Sequence, residues 1–181
     1  ISIMEVTLRT EAGLRAIETI AKAMPQMRVG AGTVCNLDDF KKAVGYGAGF
    51  VFSPGISDEL MQTSTESGVA LIPGVATASE VMSAQNSGFR HCKLFPATVA
   101  GGVQALQAFG GPFASMRFCP TGGVNLGNIN DFLALDNVMC VGGSWIVPKK
   151  ALQQKRYDQI TALCREALQI ISERQQLIPK G

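Results

Sequence analysis

Lys93 lies in the run His91-Cys92-Lys93-Leu94-Phe95-Pro96 and is the one lysine of eight in an apolar, strand-like setting. The other seven, Lys22, Lys41, Lys42, Lys149, Lys150, Lys155 and Lys180, stand beside polar residues in amphipathic, loop or tail sequence. Burial disfavours the ammonium form, so a lysine in such a strand can present a neutral amine. A neutral amine attacks a ketone to form a Schiff base, and that is the chemistry Lys93 points to. Glu5 is the only acid inside a predicted strand, with Arg9 four residues on. At a period of two, Ile3, Glu5 and Thr7 share one face. A carboxylate facing an apolar interior is costly unless paired or used. Glu5 is therefore either half of a structural ion pair with Arg9 or a proton-transfer group beside an anion-binding arginine.

Glycine-rich turns surround these residues in the chain. Gly30-Ala31-Gly32-Thr33 and Phe52-Ser53-Pro54-Gly55 offer a hydroxyl and close backbone approach, although either could be an ordinary turn. Pro120-Thr121-Gly122-Gly123 and Gly142-Gly143-Ser144 end the last two predicted strands. Two such turns on adjacent strands can direct backbone N–H groups at one phosphate. His91, the only histidine, reads as a satisfied structural residue on the Lys93 face, and Trp145, the only tryptophan, as an apolar anchor. A lone histidine without a cysteine or aspartate cluster argues against a metal site.

These positions are set by alternating strand and helix patterns. Strands are predicted over 2–7, 29–32, 50–53, 70–72, 92–95, 117–120 and 138–142. Helices are predicted over 11–24, 38–46, 57–67, 78–87, 102–109, 126–135 and 158–175. Parallel crossovers need helix-sized connections, so the seven units predict one α/β domain over 1–181 with a parallel sheet. The late phosphate-type turns favour a closed (β/α)8 TIM barrel over a doubly wound sheet, and catalytic residues then gather at the C-terminal strand ends. Seven units is one too few, and 181 residues falls below the ~200 typical of such barrels. The expectation is that a first βα unit, on the order of 40 residues, is missing from the chain.

A composition of 46% hydrophobic and 17% charged residues fits one globular core. The net charge of +2 is scattered and basic residues are not interleaved with aromatics, which argues against nucleic acid or membrane partners. No signal-peptide layout or membrane-length apolar run is present, so a cytoplasmic location is expected. The five cysteines, Cys35, Cys92, Cys119, Cys140 and Cys164, include no CxxC pair and read as reduced packing residues.

Together with Lys93-Leu94-Phe95-Pro96-Ala97, Glu5-Val6-Thr7-Leu8-Arg9-Thr10 and Phe118-Cys119-Pro120, these turns resemble the 2-keto-3-deoxy-6-phosphogluconate aldolase and 4-hydroxy-2-oxoglutarate aldolase family, across nearly the whole chain. The resemblance implies a class I, cofactor-free and metal-independent lyase of the Entner-Doudoroff pathway. It would split a phosphorylated six-carbon keto acid into pyruvate and glyceraldehyde 3-phosphate, and it would be a homotrimer. By matching motif, Lys93 would form the imine and Glu5 would shuttle protons through water. Arg9 and Thr33 would hold the pyruvate carboxylate, and Pro54 and Phe95 would shape the imine pocket. Thr121 would meet the substrate hydroxyls, and Gly122, Gly123, Gly143 and Ser144 would take the phosphate. A galactonate-type sibling enzyme and a non-catalytic phosphosugar-binding barrel, with Lys93 merely paired to Glu5, remain alternatives.

Overall fold

The computed structural model describes residues 1–177, with side-chain surroundings through residue 172, so Lys180 lies outside the described residues. Strands β1 (Ile3–Thr7), β2 (Arg28–Gly32), β3 (Phe50–Phe52) and β4 (Ala70–Ile72) form one parallel sheet in that order. Strands β5 (Gly74–Val75), β6 (His91–Leu94) and β7 (Arg117–Pro120) form a second. Only Pro73 separates β4 from β5. Proline has no N–H to give a ladder, so it breaks the strand in two without breaking the array. The array stays continuous there because the Lys93 N–H donates to the Pro73 carbonyl at 2.8 Å.

Helices α1 (Ala12–Ala23), α2 (Leu37–Gly45), α3 (Asp58–Ser67), α4 (Ala78–Asn86) and α5 (Gly102–Gly110) form the crossovers. They are followed by α6 (Ile129–Leu133), α7 (Lys149–Gln153) and α8 (Tyr157–Leu177). Their starts follow local chemistry. The Asn36 and Ser57 side chains accept the N–H groups of Asp39 and Leu60, while Thr77 and Glu80 cap α4 reciprocally. The core forms two clusters. One centres on Ile17, Val29, Val51 and Leu60, the other on Leu94, Leu106, Phe118 and Phe132. Ile56 and Phe89 pack against both.

Several elements differ from expectation. Residues 138–142 are not a full strand. They touch β7 only at the parallel bridges Phe118↔Val138 and Thr121↔Gly142. The residue offset grows from 20 to 21 between these bridges, so one extra residue bulges out and interrupts the ladder. Strand β5 and helix α7 were not predicted, because two and five residues are too short for a period to show. Helix α6 is confined to Ile129–Leu133, since Asn125 and Asn128 engage the backbone before it. Closure of the array into a barrel is not seen among the described residues, where β1 and the 138–142 segment stand at its two ends. No described helix is long and apolar enough to cross a membrane.

Candidate active site

Lys93 occupies the middle of the array. In the ladders it stands opposite Gly74 on one side and Cys119 on the other. It is only 4% exposed and is the one buried charged residue among those described. Its Nζ lies 3.8 Å from Glu5 Oε1, 5.4 Å from the Phe52 ring centre and 4.9 Å from that of Phe95. Aromatic faces tolerate a cation yet hydrate it poorly, so the amine sits in an apolar cup with one carboxylate for company. At 3.8 Å the pair is longer than a hydrogen bond, which leaves proton exchange between them to an atom placed in between.

Glu5 reaches Lys93 because the chain makes room for it. Thr7 pairs with Gly32 at the end of the β1–β2 ladder. A Cβ at Gly32 would strike the Glu5 carboxylate. The expected alternative, a Glu5–Arg9 ion pair, does not form: Arg9 is exposed just beyond β1, and its guanidinium has no ion-pair partner among the described residues. Thr33 follows β2 with φ at +64°, a conformation rare for a β-branched residue, and so turns out of the strand at the mouth of the site. Pro54 is held at the same mouth by Ser53, which is 1% exposed. The Ser53 hydroxyl donates to the Gly55 carbonyl at 2.7 Å and accepts the Gly74 N–H at 3.4 Å. A Cβ on Gly74 would collide with the Pro54 carbonyl, so glycine there lets the Pro54 turn lie beside the strand that flanks Lys93. Sequence reasoning named Ser53 only within the Phe52-Ser53-Pro54-Gly55 turn and gave it no role of its own. Its position between Phe52 and Pro54 was the available signal.

The other end of the site is built from two turns. Gly122 and Gly123 have φ of +96° and +82°. Their carbonyls are taken, that of Gly122 by the Thr98 N–H and hydroxyl, that of Gly123 by the Asn125 and Asn128 side-chain amides. The N–H groups of Gly122, Gly123, Gly143 and Ser144 record no hydrogen-bond partner within the described residues. Glycine turns with occupied carbonyls and free N–H groups form an anion cradle. Thr121 joins the turns, since its N–H bonds Leu94 O and it bridges Gly142. Trp145 packs its ring where a Gly143 Cβ would stand and contacts the Leu94 cluster, while its buried Nε1 has no hydrogen-bond partner among the described residues. His91 is exposed at the outer end of β6 and has no side-chain partner among the described residues, so it is not the satisfied structural residue expected. Cys35 and Cys140 are also exposed, unlike buried Cys92 and Cys119. Among the described residues no three His, Cys, Asp or Glu side chains group as metal ligands.

The site thus brings Lys93, Glu5, Phe95 and the Gly32 and Pro54 turns to one end of the strands, with the Thr121 to Gly123 and Gly142 to Ser144 turns beside them. The family model described as "Aldolase: KDPG and KHG aldolase" matches residues 1–163. The chain is 50% identical to 2-dehydro-3-deoxy-phosphogluconate aldolase of Dickeya dadantii, over 93% of this chain and 79% of the relative. It is 48% identical to the KHG/KDPG aldolase of Escherichia coli K12, with the same two coverages. Among solved structures, it is similar to KDPG aldolase from Legionella pneumophila, which holds pyruvate captured at low pH as a covalent carbinolamine intermediate. That likeness has a TM-score of 0.89 and 45% identity over 91% of this chain and 80% of the other. The Zymomonas mobilis 2-keto-3-deoxy-6-phosphogluconate aldolase, solved with 3-phosphoglycerate, matches at TM-score 0.82 and 39% identity over 92% and 78%.

Proposed function

The chain belongs to the KDPG and KHG aldolase family, and from that premise we infer how its residues divide the work of a Schiff-base aldolase. It is a carbon–carbon lyase that cleaves 2-dehydro-3-deoxy-6-phosphogluconate to pyruvate and glyceraldehyde 3-phosphate. The observation that carries the assignment of roles is the Lys93 amine, 4% exposed and facing Glu5 across 3.8 Å.

Lys93 adds to the C2 ketone, and loss of water from the carbinolamine gives the imine. Glu5 supplies and removes the protons of that step through a water or substrate oxygen between the two groups. It then takes the C4 hydroxyl proton as the C3–C4 bond breaks. The electrons of that bond pass into the protonated imine as an enamine, and the aldehyde leaves. Reprotonation at C3 and hydrolysis free pyruvate and the amine. Arg9 and Thr33 hold the pyruvate carboxylate, the guanidinium because its planar fork fits two oxygens. Pro54 and Phe95 wall the imine. Thr121 meets the hydroxyls, and Gly122, Gly123, Gly143 and Ser144 hold the phosphate through free N–H groups. Phosphate binding remote from C3 positions the chain without taking part in bond breaking. The same imine serves 4-hydroxy-2-oxoglutarate, which shares the reacting keto acid. This reading also takes the parallel array as the wall of a TIM barrel and the working protein as a cytoplasmic homotrimer. The similarity in fold to the Legionella enzyme supports the barrel, and the exposed apolar Met82 and Val99 offer contact surface for an oligomer.

The test is incubation with pyruvate and borohydride followed by peptide mass spectrometry. A pyruvyl adduct is expected on Lys93 alone. Lys93→Met removes the amine while filling its apolar cup, so it is expected to stay folded and lose cleavage entirely. A folded Lys93→Met protein that still cleaves substrate would refute the imine role.

A further inference from the structure

Strand β3 ends at the seam between the two sheets. Phe52 pairs with Ile72 at the close of the β3–β4 ladder, and Pro73, next in line, has no N–H to extend it. On the β2 side the strand end is still tied by backbone, since the Phe52 carbonyl accepts the Val34 N–H at 3.2 Å. On the other side a side chain replaces the ladder. The Ser53 hydroxyl accepts the N–H of Gly74, the ladder neighbour of Lys93 in β5, at 3.4 Å. It donates its one proton to the Gly55 carbonyl at 2.7 Å, and the residue is 1% exposed. With that proton committed, Ser53 has none to give a substrate. Its two chain neighbours are the ones that matter to the amine. The Phe52 ring centre lies 5.4 Å from Lys93 Nζ, and Pro54 is assigned above to the wall of the imine. The Pro54–Gly55 peptide lies so close to Gly74 that a Cβ there would strike the Pro54 carbonyl and the Gly55 nitrogen.

We propose that Ser53 is a positioning residue for carbon–carbon cleavage, its hydroxyl setting the Pro54–Gly55 peptide against Gly74 and so fixing the wall that orients the imine on Lys93. The proposal deepens the assignment of Pro54 and rests on it. Contact with Gly74 limits how near the turn can come, and the hydroxyl limits how far it can move away. Without the hydroxyl the Gly55 carbonyl loses this donor and the buried Gly74 N–H loses this acceptor. A buried backbone group left without its partner re-orients to find another, and the turn moves with it. The amine, the Glu5 carboxylate and the glycine cradle all remain. What is lost is orientation at the reacting carbon, which is felt in kcat rather than in binding. The imine end is common to every substrate, so phosphorylated and unphosphorylated keto acids lose turnover by the same factor.

The test is steady-state cleavage of 2-dehydro-3-deoxy-6-phosphogluconate and of 4-hydroxy-2-oxoglutarate by Ser53→Ala, Pro54→Ala and the double variant, each checked for folding by circular dichroism. Ser53→Ala is expected to lower kcat about tenfold on both substrates, short of the roughly hundredfold of a full 1 Å displacement, with KM within about twofold. The double variant is expected to be no slower than Pro54→Ala, because a residue acting only through the turn adds nothing once the wall is gone. If Ser53→Ala does not fold, Ser53→Cys carries the test, since it keeps a polar atom of similar size in the buried spot but a weaker hydrogen bond. A structural role alone would lower the urea midpoint and leave kcat of the folded protein at the parental value, which overturns the proposal. So would a loss confined to the phosphorylated substrate, or losses that multiply in the double variant. Parental kcat in Pro54→Ala would instead refute the wall assignment itself, and the proposal with it.

Discussion

A methyl group at position 32 would stand where the Glu5 carboxylate now lies. Gly32→Ala is therefore expected to displace Glu5 and lower kcat by about a hundredfold, the scale of loss from a misplacement near 1 Å. The borohydride adduct on Lys93 should still form, more slowly, and steady-state cleavage against trapping separates the two effects. The importance of Lys93 and Glu5 could be read from the sequence, because a charge inside an apolar strand is conspicuous. Their mutual pairing entered only under the binding-barrel alternative, since residues 5 and 93 meet only through the array. The spacing of Glu5 and Arg9 left an ion pair open beside the functional reading, but Arg9 follows the strand end and is exposed. Thr33 shows a similar limit. Its hydroxyl was visible in Gly30-Ala31-Gly32-Thr33, whereas its +64° φ is a property of the fold.

Helix α4 begins where Thr77 and Glu80 satisfy each other's backbone N–H groups. Partial burial pushes the Glu80 carboxyl up, but hydrogen bonds from the Ala76 N–H, the Thr77 hydroxyl and the Thr77 N–H outweigh it and hold the group below its ordinary 4.5. A depressed native value means stability that is present above pH 4.5 and is lost as pH falls through the lowered native value. Glu80→Ala is expected to cost about 1 kcal/mol at neutral pH. Urea midpoints taken at falling pH should show the gap between variant and parent closing in that acid window. Most elements were readable because alternating and helical periods each persist over several residues. The failures have local causes. Pro73 splits a strand into two short pieces, and a bulge within Val138-Met139-Cys140-Val141-Gly142 removes the ladder that its apolar residues predicted.

Two core clusters share Ile56 and Phe89, so the halves of the array are joined by apolar packing as well as by the Lys93 to Pro73 hydrogen bond. Phe89→Ala removes a half-buried ring and is expected to cost about 2 kcal/mol, below the roughly 3–5 kcal/mol of a fully buried one. Unfolding followed by circular dichroism should remain a single transition at a lower urea midpoint. Two separate transitions would mean that the clusters fold independently. Six of the seven predicted strands formed, whereas how the ends of the array are covered depends on surfaces that no local pattern encodes. The packing of Trp145 against Gly143 has an optical consequence. As the sole tryptophan, it makes the emission of the protein a report on the Gly142 to Ser144 turn. With the phosphate in the proposed glycine turns, inorganic phosphate or glyceraldehyde 3-phosphate is expected to change that fluorescence, while pyruvate is expected to leave it unchanged. The two products can then be titrated independently on unlabelled protein.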